Sequence, residues 1–428
     1  MRLMRPIPFV IAMLAVGMVA PLPAQQDVRP KDVREIAKSG SSAIPKLQEL
    51  LHNPNTDVRA EAVRQITEIG PPRSLDPLIE ATRDNEPEVQ ILATDGLVNF
   101  YLPGYVKTGL SASLRRVGTS IKGRFTDTND QVVDPYIQVR PDVIAALGKL
   151  VRSGGGMDAR ANAARGVGIL RGAAALPDLI DATHSKDSTL IYESLIALQK
   201  IRDESAGPQV EFLMRDFDQR VQLSAIETVG LLRDTAGVPA LTGVLNRTEN
   251  IKVKRTALTS IAMLPADSSR AIYTQYLTDK DDKLRAAAAE GFARLKNPSD
   301  LPMLRKAWQD EGKTNPRLSL AFAQVMLGET ELSEFSPLRF LINNLNSAAY
   351  NGVAFPFLVE LARDPRVRAA LYVTLPTGAK EEKIGLAGVL GRSGDRQSVA
   401  ELQKLSNDPD PAVAQAGLTA VRNLQARM

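Results

Sequence analysis

Four stretches of the chain share one spacing of side chains: DVRAEAVRQITEIG (57–70), QRVQLSAIETVGLLRD (219–234), IKVKRTALTSIAML (251–264) and DKLRAAAAEGFARL (282–295). Each carries an apolar residue, a small one four positions later, and apolar residues eight and eleven positions later. In the first these are Val58, Ala62, Ile66 and Ile69; in the second, Val221, Ala225, Val229 and Leu232. The third and fourth read Val253, Ala257, Ile261, Leu264 and Leu284, Ala288, Phe292, Leu295. Such offsets place all four side chains on one helical stripe, with a small residue where a neighbouring helix can come close. The leading position recurs from Val58 to Val89, and from Ala159 through Leu190, Val221 and Val253 to Leu284, in steps of 31 or 32 residues. A unit this short cannot bury its own apolar face, so the period demands a stack of units with a continuous core.

A second marker keeps step with the first. Pro45, Pro77, Pro177, Pro208, Pro239 and Pro302 each open a shorter apolar segment, such as IPKLQELL (44–51) or VPALTGVL (238–245). Proline suits the first helical turn, where its missing N–H is no loss. Turn formers such as Asn53-Pro54, Asp187 and Asp218 then precede the second segment and can cap it. Each unit therefore reads as helix, tight turn, helix, and the predicted fold is all-α: an α-solenoid superhelix of stacked antiparallel helix pairs.

The Pro-led first helix and the D-x-VR-xx-A second helix resemble the HEAT-repeat family, particularly the short bacterial type called phycobilisome-lyase-like. The second phrase stands, with Asp directly before Val, as Asp57-Val58-Arg59 with Ala62, and approximately as Asp364-Pro365-Arg366-Val367-Arg368. The resemblance spans nearly all of residues 40–428. It implies an armadillo-like, right-handed superhelix that binds partners along an extended face. It specifies architecture far better than function, since the same repeat serves scaffolds, lyases and nucleic-acid enzymes.

Two regions leave the register. From Val89 to Ala159 is 70 residues, which points to an insertion at about 103–140, and the spacing lengthens again over irregular repeats at about 330–390. Residues 28–39 read as a first capping helix and 411–427 as a closing one. At the amino end, Arg2 and Arg5 precede an apolar run from Ile7 to Ala20, and Pro21-Leu22-Pro23-Ala24 leads into a polar start. That order predicts a cleavable signal peptide over 1–24, with the solenoid over 25–428 and a periplasmic or secreted location. The run is shorter than the roughly 20 residues of a spanning helix. Without the leader, 51 basic residues face 49 acidic ones, so no global field favours nucleic acid. The chain has no cysteine, which removes disulfides, thiol catalysis and cysteine metal sites together.

Little in the remainder suggests chemistry. His52 and His184 each follow a first helix, as exposed turn residues do, and no G-x-S-x-G phrase accompanies them. Arg152-Ser153-Gly154-Gly155-Gly156 lacks the G-K-[ST] ending of a phosphate loop and falls where a turn belongs. Asp279-Lys280-Asp281-Asp282 lacks the glycine and terminal glutamate of a calcium loop, and Asp127, Asn129 and Asp130 read as turn residues. No catalytic, cofactor or metal residues are expected, and the chain reads as non-enzymatic. The segment GLSASLRRVGTSIKGRF (109–125) differs. With Val106 before it, apolar residues fall at helical spacing, and Lys107, Arg115, Arg116, Lys122 and Arg124 add five positive charges without an acid. These five are the candidate residues for binding a protein partner. A basic amphipathic stripe could also lie on an anionic membrane surface, or pack on the solenoid with its charges solvated. The expected function is an exported scaffold for protein–protein interaction; a lyase-type or other ligand-handling protein, or a membrane-surface adaptor through the insertion, is the alternative.

Overall fold

The computed structural model describes residues 28–106 and 131–428, and within them every regular element is helical. Two layers of helices alternate along the chain. One layer, odd-numbered here, consists of α1 (Pro30–Ala37), α3 (Thr56–Ile69), α5 (Pro87–Tyr101), α7 (Met157–Ile169), α9 (Ser188–Ile201) and α11 (Gln219–Leu231). It continues with α13 (Ile251–Met263), α15 (Asp282–Leu295), α17 (Thr314–Met326), α19 (Asn351–Leu361), α21 (Lys380–Ser393) and α23 (Pro411–Gln425). Each odd helix packs on the next odd helix from one end to the other. Between them lie α2 (Ile44–Glu49), α4 (Leu75–Ala81), α6 (Pro141–Ser153), α8 (Leu176–Ala182), α10 (Gly207–Val210) and α12 (Val238–Arg247). The second layer ends with α14 (Arg270–Tyr276), α16 (Leu301–Asp310), α18 (Pro337–Asn343), α20 (Pro365–Thr374) and α22 (Arg396–Leu405). These even helices are shorter and mostly pack on odd helices rather than on one another. A closely packed layer backed by a splayed one bends the stack, with the odd helices on the inside.

The repeated stripe is the core of this stack. Val58, Ala62, Ile66, Val221, Ala225, Val229, Val253, Ala257, Ile261, Leu284, Ala288 and Phe292 are all buried. The prolines sit where expected, at the first or second helical position for Pro45, Pro177, Pro208, Pro239 and Pro302 and one residue later for Pro77. Asp187 caps α9 by accepting from the Leu190 N–H, and Asp218 caps α11 through the N–H groups of Arg220 and Val221. The cap of α3 is Asn55, not Asn53: Asn55 accepts from the Asp57 N–H, while Asn53 holds the turn by accepting from the Asn55 N–H. The closest helix-to-helix approaches involve glycines outside the stripe. A Cβ on Gly168 would lie 2.7 Å from the Ala197 Cα of the next inner helix, and one on Gly230 would lie 2.8 Å from the Ser260 Cα.

A second interaction repeats between units. Arg59, of the D-x-VR phrase, donates to the backbone carbonyls of Asn53 and Pro54 in its own turn and forms a two-bond pair with Asp84 in the next turn, at 2.7 and 3.0 Å. Arg285 does the same with the Asp279 and Lys280 carbonyls and Glu311. Arg368 reaches the Ala362 and Arg363 carbonyls and Asp395. Arg255 and Lys383 pair forward with Asp281 and Asp408. One cation therefore closes its own turn and clamps the following one.

The insertion does not interrupt this layering. The helix before it, α5, packs directly on α7, and the Val133 N–H donates to the Ile169 carbonyl at the end of α7 (2.9 Å). Around residues 330–390, α18 through α21 keep the alternation, with longer connections on either side of α18.

Three outcomes test the packing. Arg59→Ala leaves Asp84, 8% exposed, without its partner and frees two carbonyls, so it should destabilise by about 2–3 kcal/mol, with the loss of amide-exchange protection centred on α3 to α5. Gly168→Ala should cost about 1–3 kcal/mol, read from the denaturant midpoint, because backbone faces the new methyl. The Asp281 carboxyl is held below its usual range, first by its hydrogen bond from Arg255. The stability gap between the native chain and Arg255→Ala should be full above about pH 4 and close as pH falls further, when Asp281 becomes protonated in both.

Candidate binding surface

Lys107, Arg115, Arg116, Lys122 and Arg124 lie outside the described residues, as do Asp127, Asn129 and Asp130. The residues that flank them are well placed. Leu102, Pro103, Gly104 and Tyr105 line one small cavity of about 270 Å³ together with Gln131 and Val132, so both ends of the insertion meet at one point. The chain on either side is tied to the solenoid: Asn99 accepts from the N–H groups of Gly104 and Val106, the Tyr101 hydroxyl accepts from the Arg140 N–H, and Val133 is buried. Residues at the two ends of the expected insertion, 104–106 and 133–140, are thus bound into the packing of the solenoid.

Beneath this root lies a buried polar cluster. Arg165 on α7 donates twice to Glu193 on α9, at 3.0 and 3.2 Å, and neither side chain is more than 3% exposed. Asn162 donates to Asp95 on α5 at 3.0 Å. Burial raises the Glu193 pKa against the pull of Arg165, and burial also raises that of the Tyr105 hydroxyl, with Asp95 adding to the rise. Every member sits on an inner helix or at the insertion's root, and the paired charges fix how α5, α7 and α9 meet. None of these residues stood out in the sequence, because the pairing joins positions 28 and 67 residues apart.

The inner face itself carries a larger cavity, of about 630 Å³, along α9 and α11. Val132, Arg171, Tyr192, Gln199, Arg202 and Glu227 are among the residues that line it. Burial lowers the pKa of Arg171, which is solvent-exposed but surrounded by protein, and the Arg392 guanidinium lowers it further while Asp134 opposes. Arg427 is lowered by burial and by Arg392, Arg171 and Arg363. Tyr136, beside the insertion, feels Arg422 on the last helix. The carboxy-terminal units therefore return to the neighbourhood of residues 132–171, and the curve brings together charges more than 200 positions apart.

The other positions singled out in the sequence have structural partners. His52 pairs with Glu80 at 2.8 Å, and His184 stacks on Phe212 with ring centres 4.7 Å apart. The Gly155 N–H donates to Gln90 Oε1, so the glycine turn is occupied by a contact between units. Asp281 caps α15 and pairs with Arg255. Among the described residues, no group of three or more His, Asp or Glu side chains converges as a metal cage, and no helix is long and apolar enough to cross a membrane.

Two layers of paired helices, one continuous inner face and a recurring arginine clamp define an α-solenoid of short helical repeats. Residues 24–106 and 238–326 match the family model for HEAT repeats, so these two stretches of the solenoid are built of HEAT repeats. The sequence matches no curated protein. Similar solved structures include an engineered protein (19% identity, TM-score 0.39, covering 89% of this chain and 98% of that one). Others are the CpcE–CpcF complex of phycocyanin lyase from a Nostoc species (15%, 0.37, 64% and 94%) and importin beta (13%, 0.38, 94% and 60%). These TM-scores are too low to imply a common overall shape. Repeats of this kind typically mediate protein interactions along the surface that their curvature creates.

Glu193→Gln should leave Arg165 buried beside a neutral partner and loosen the α7–α9 junction. The expected readout is a lower unfolding midpoint with exchange protection lost around the insertion's root; Tyr105 should become more accessible to solvent quenchers in the same variant.

Proposed function

We propose that this chain is an exported, non-enzymatic scaffold that binds another protein along the inner face of its solenoid. The observation that carries the reading is the unbroken inner layer, in which α5 packs directly on α7 and the inner helices form one continuous face. A solenoid offers a long, one-sided surface whose shape is set by many small helix-to-helix rotations, and such surfaces suit extended protein partners. Lys107, Arg115, Arg116, Lys122 and Arg124 remain the proposed contacts of the insertion with that partner; what supports this is that the described chain before and after them meets at one small cavity, where Val132 also borders the inner-face cavity. Export rests on the charge, apolar and small-residue order of residues 1–24.

The test is in-cell cross-linking of the full chain followed by mass spectrometry of both the cross-linked proteins and the bound small molecules. A reproducible protein partner, cross-linked through inner-face residues, is expected. Recovery of a small-molecule ligand with no protein partner would instead favour the ligand-handling alternative. Replacing 107–130 with a short Gly-Ser linker keeps Tyr105 and Val133 in place, so the variant should fold with an unchanged unfolding midpoint and capture the partner less well. Undiminished capture would remove the insertion from the site. Amino-terminal sequencing of the protein made with its leader should show cleavage after Ala24; an uncleaved terminus would contradict export by this route.

A further inference from the structure

Three inner helices, α7, α9 and α11, end in the same unusual way. Just past each, the chain passes through the left-handed region at Arg171 (φ 52°), Arg202 (φ 65°) and Arg233 (φ 56°), at intervals of 31 residues. Lys296 (φ 52°) repeats the arrangement after α15. Glycine takes this conformation without steric cost and is the usual occupant of such helix ends. Among the described residues, every non-glycine residue with positive φ is a cation. A cation does suit the negative end of a helix dipole, and Arg202 donates weakly to the Leu231 carbonyl at 3.3 Å. That local benefit does not explain why the side chains converge. Arg363, Arg392 and Arg427 lie at the same carboxy-terminal ends of α19, α21 and α23, and the curve of the stack carries Arg392 and Arg427 into the electrostatic reach of Arg171. All six arginines are exposed, and none forms an ion pair among the described residues.

We propose that this rim of arginines binds an extended, acidic polypeptide segment, running from Arg233 past Arg202 and Arg171 toward Arg392 and Arg427. The inference rests on the scaffold reading and names the chemistry of its partner. Adjacent inner helices stand roughly 10 Å apart, and a chain in the extended polyproline II conformation advances about 3.1 Å per residue with three residues per turn, so acids at every third residue share one face and meet successive arginines. Arginine's planar fork takes a carboxylate through two parallel hydrogen bonds. Glu227, which lines the cavity, and Asp134, within electrostatic reach of Arg171, supply acceptors among the arginines. They can take hydrogen bonds from peptide N–H groups, whereas a phosphodiester chain would meet them with like charge and no donor.

The experiment is fluorescence anisotropy of the full chain with a labelled twelve-residue peptide of four Glu-Gly-Ser repeats, roughly the length that spans four inner helices. The same peptide with Gln for Glu and a single-stranded DNA oligonucleotide are the comparison probes. The Glu peptide should bind, and weaken as salt rises. The triple variant Arg171→Gly, Arg202→Gly, Arg233→Gly suits the backbone at all three positions, so its unfolding midpoint should hold while affinity falls about tenfold or more. Arg392→Gln with Arg427→Gln, which alters no left-handed position, should weaken binding in the same direction. Equal binding of the Gln peptide, tighter binding of DNA, or unchanged affinity in both variants would each overturn the proposal. A partner still cross-linked to the triple variant in cells would refute the acidic-segment site while leaving the scaffold reading intact; loss of any protein partner from the native chain refutes both.

Discussion

Everything in this structure depends on the contact between one inner helix and the next. A single helix pair has too little apolar surface to fold, so Val58, Val221 and Val253 and their ladders are buried only because another unit covers them. The contact has two parts. Small side chains and bare glycines such as Gly168 and Gly230 bring the inner helices close, and arginines such as Arg59 and Arg285 clamp the next turn through charge. Close packing on one side and splayed helices on the other supply the curvature. Curvature in turn makes the concave face that we propose for binding and decides which distant charges meet.

The insertion follows from the same logic. A repeat stack tolerates extra chain wherever the two flanking inner helices can still touch, and α5 and α7 do touch across a sequence gap longer than a full repeat. The buried pair Arg165–Glu193 and its neighbours Asn162 and Asp95 sit at this junction. Their charges would be costly in an apolar stack, so their presence beneath the insertion marks a junction specified more tightly than the rest.

The architecture was legible because it is periodic. A stripe read every 31 or 32 residues and a proline in step with it require only local helix geometry, and the structure places both as read. Asp187 and Asp218 were legible as caps for the same reason. Asn55 was misread by two positions because Asn53 and Asn55 are equally good turn formers, and only the backbone angles separate them. The arginine rim was not legible. Its members are ordinary surface cations in sequence; their left-handed conformation and their meeting with Arg392 and Arg427 arise only once the stack has curved through most of its length.

The closure of that curve is the most direct thing to measure. The chain has no cysteine, so Ala173→Cys with Gln425→Cys introduces two unique labelling sites, both exposed, one beside Arg171 and one beside Arg427. Double electron–electron resonance on the spin-labelled full chain should give a single narrow distribution at short range. A broad distribution, or one centred at the long distance of an open superhelix, would contradict the closed inner face on which the binding surface depends.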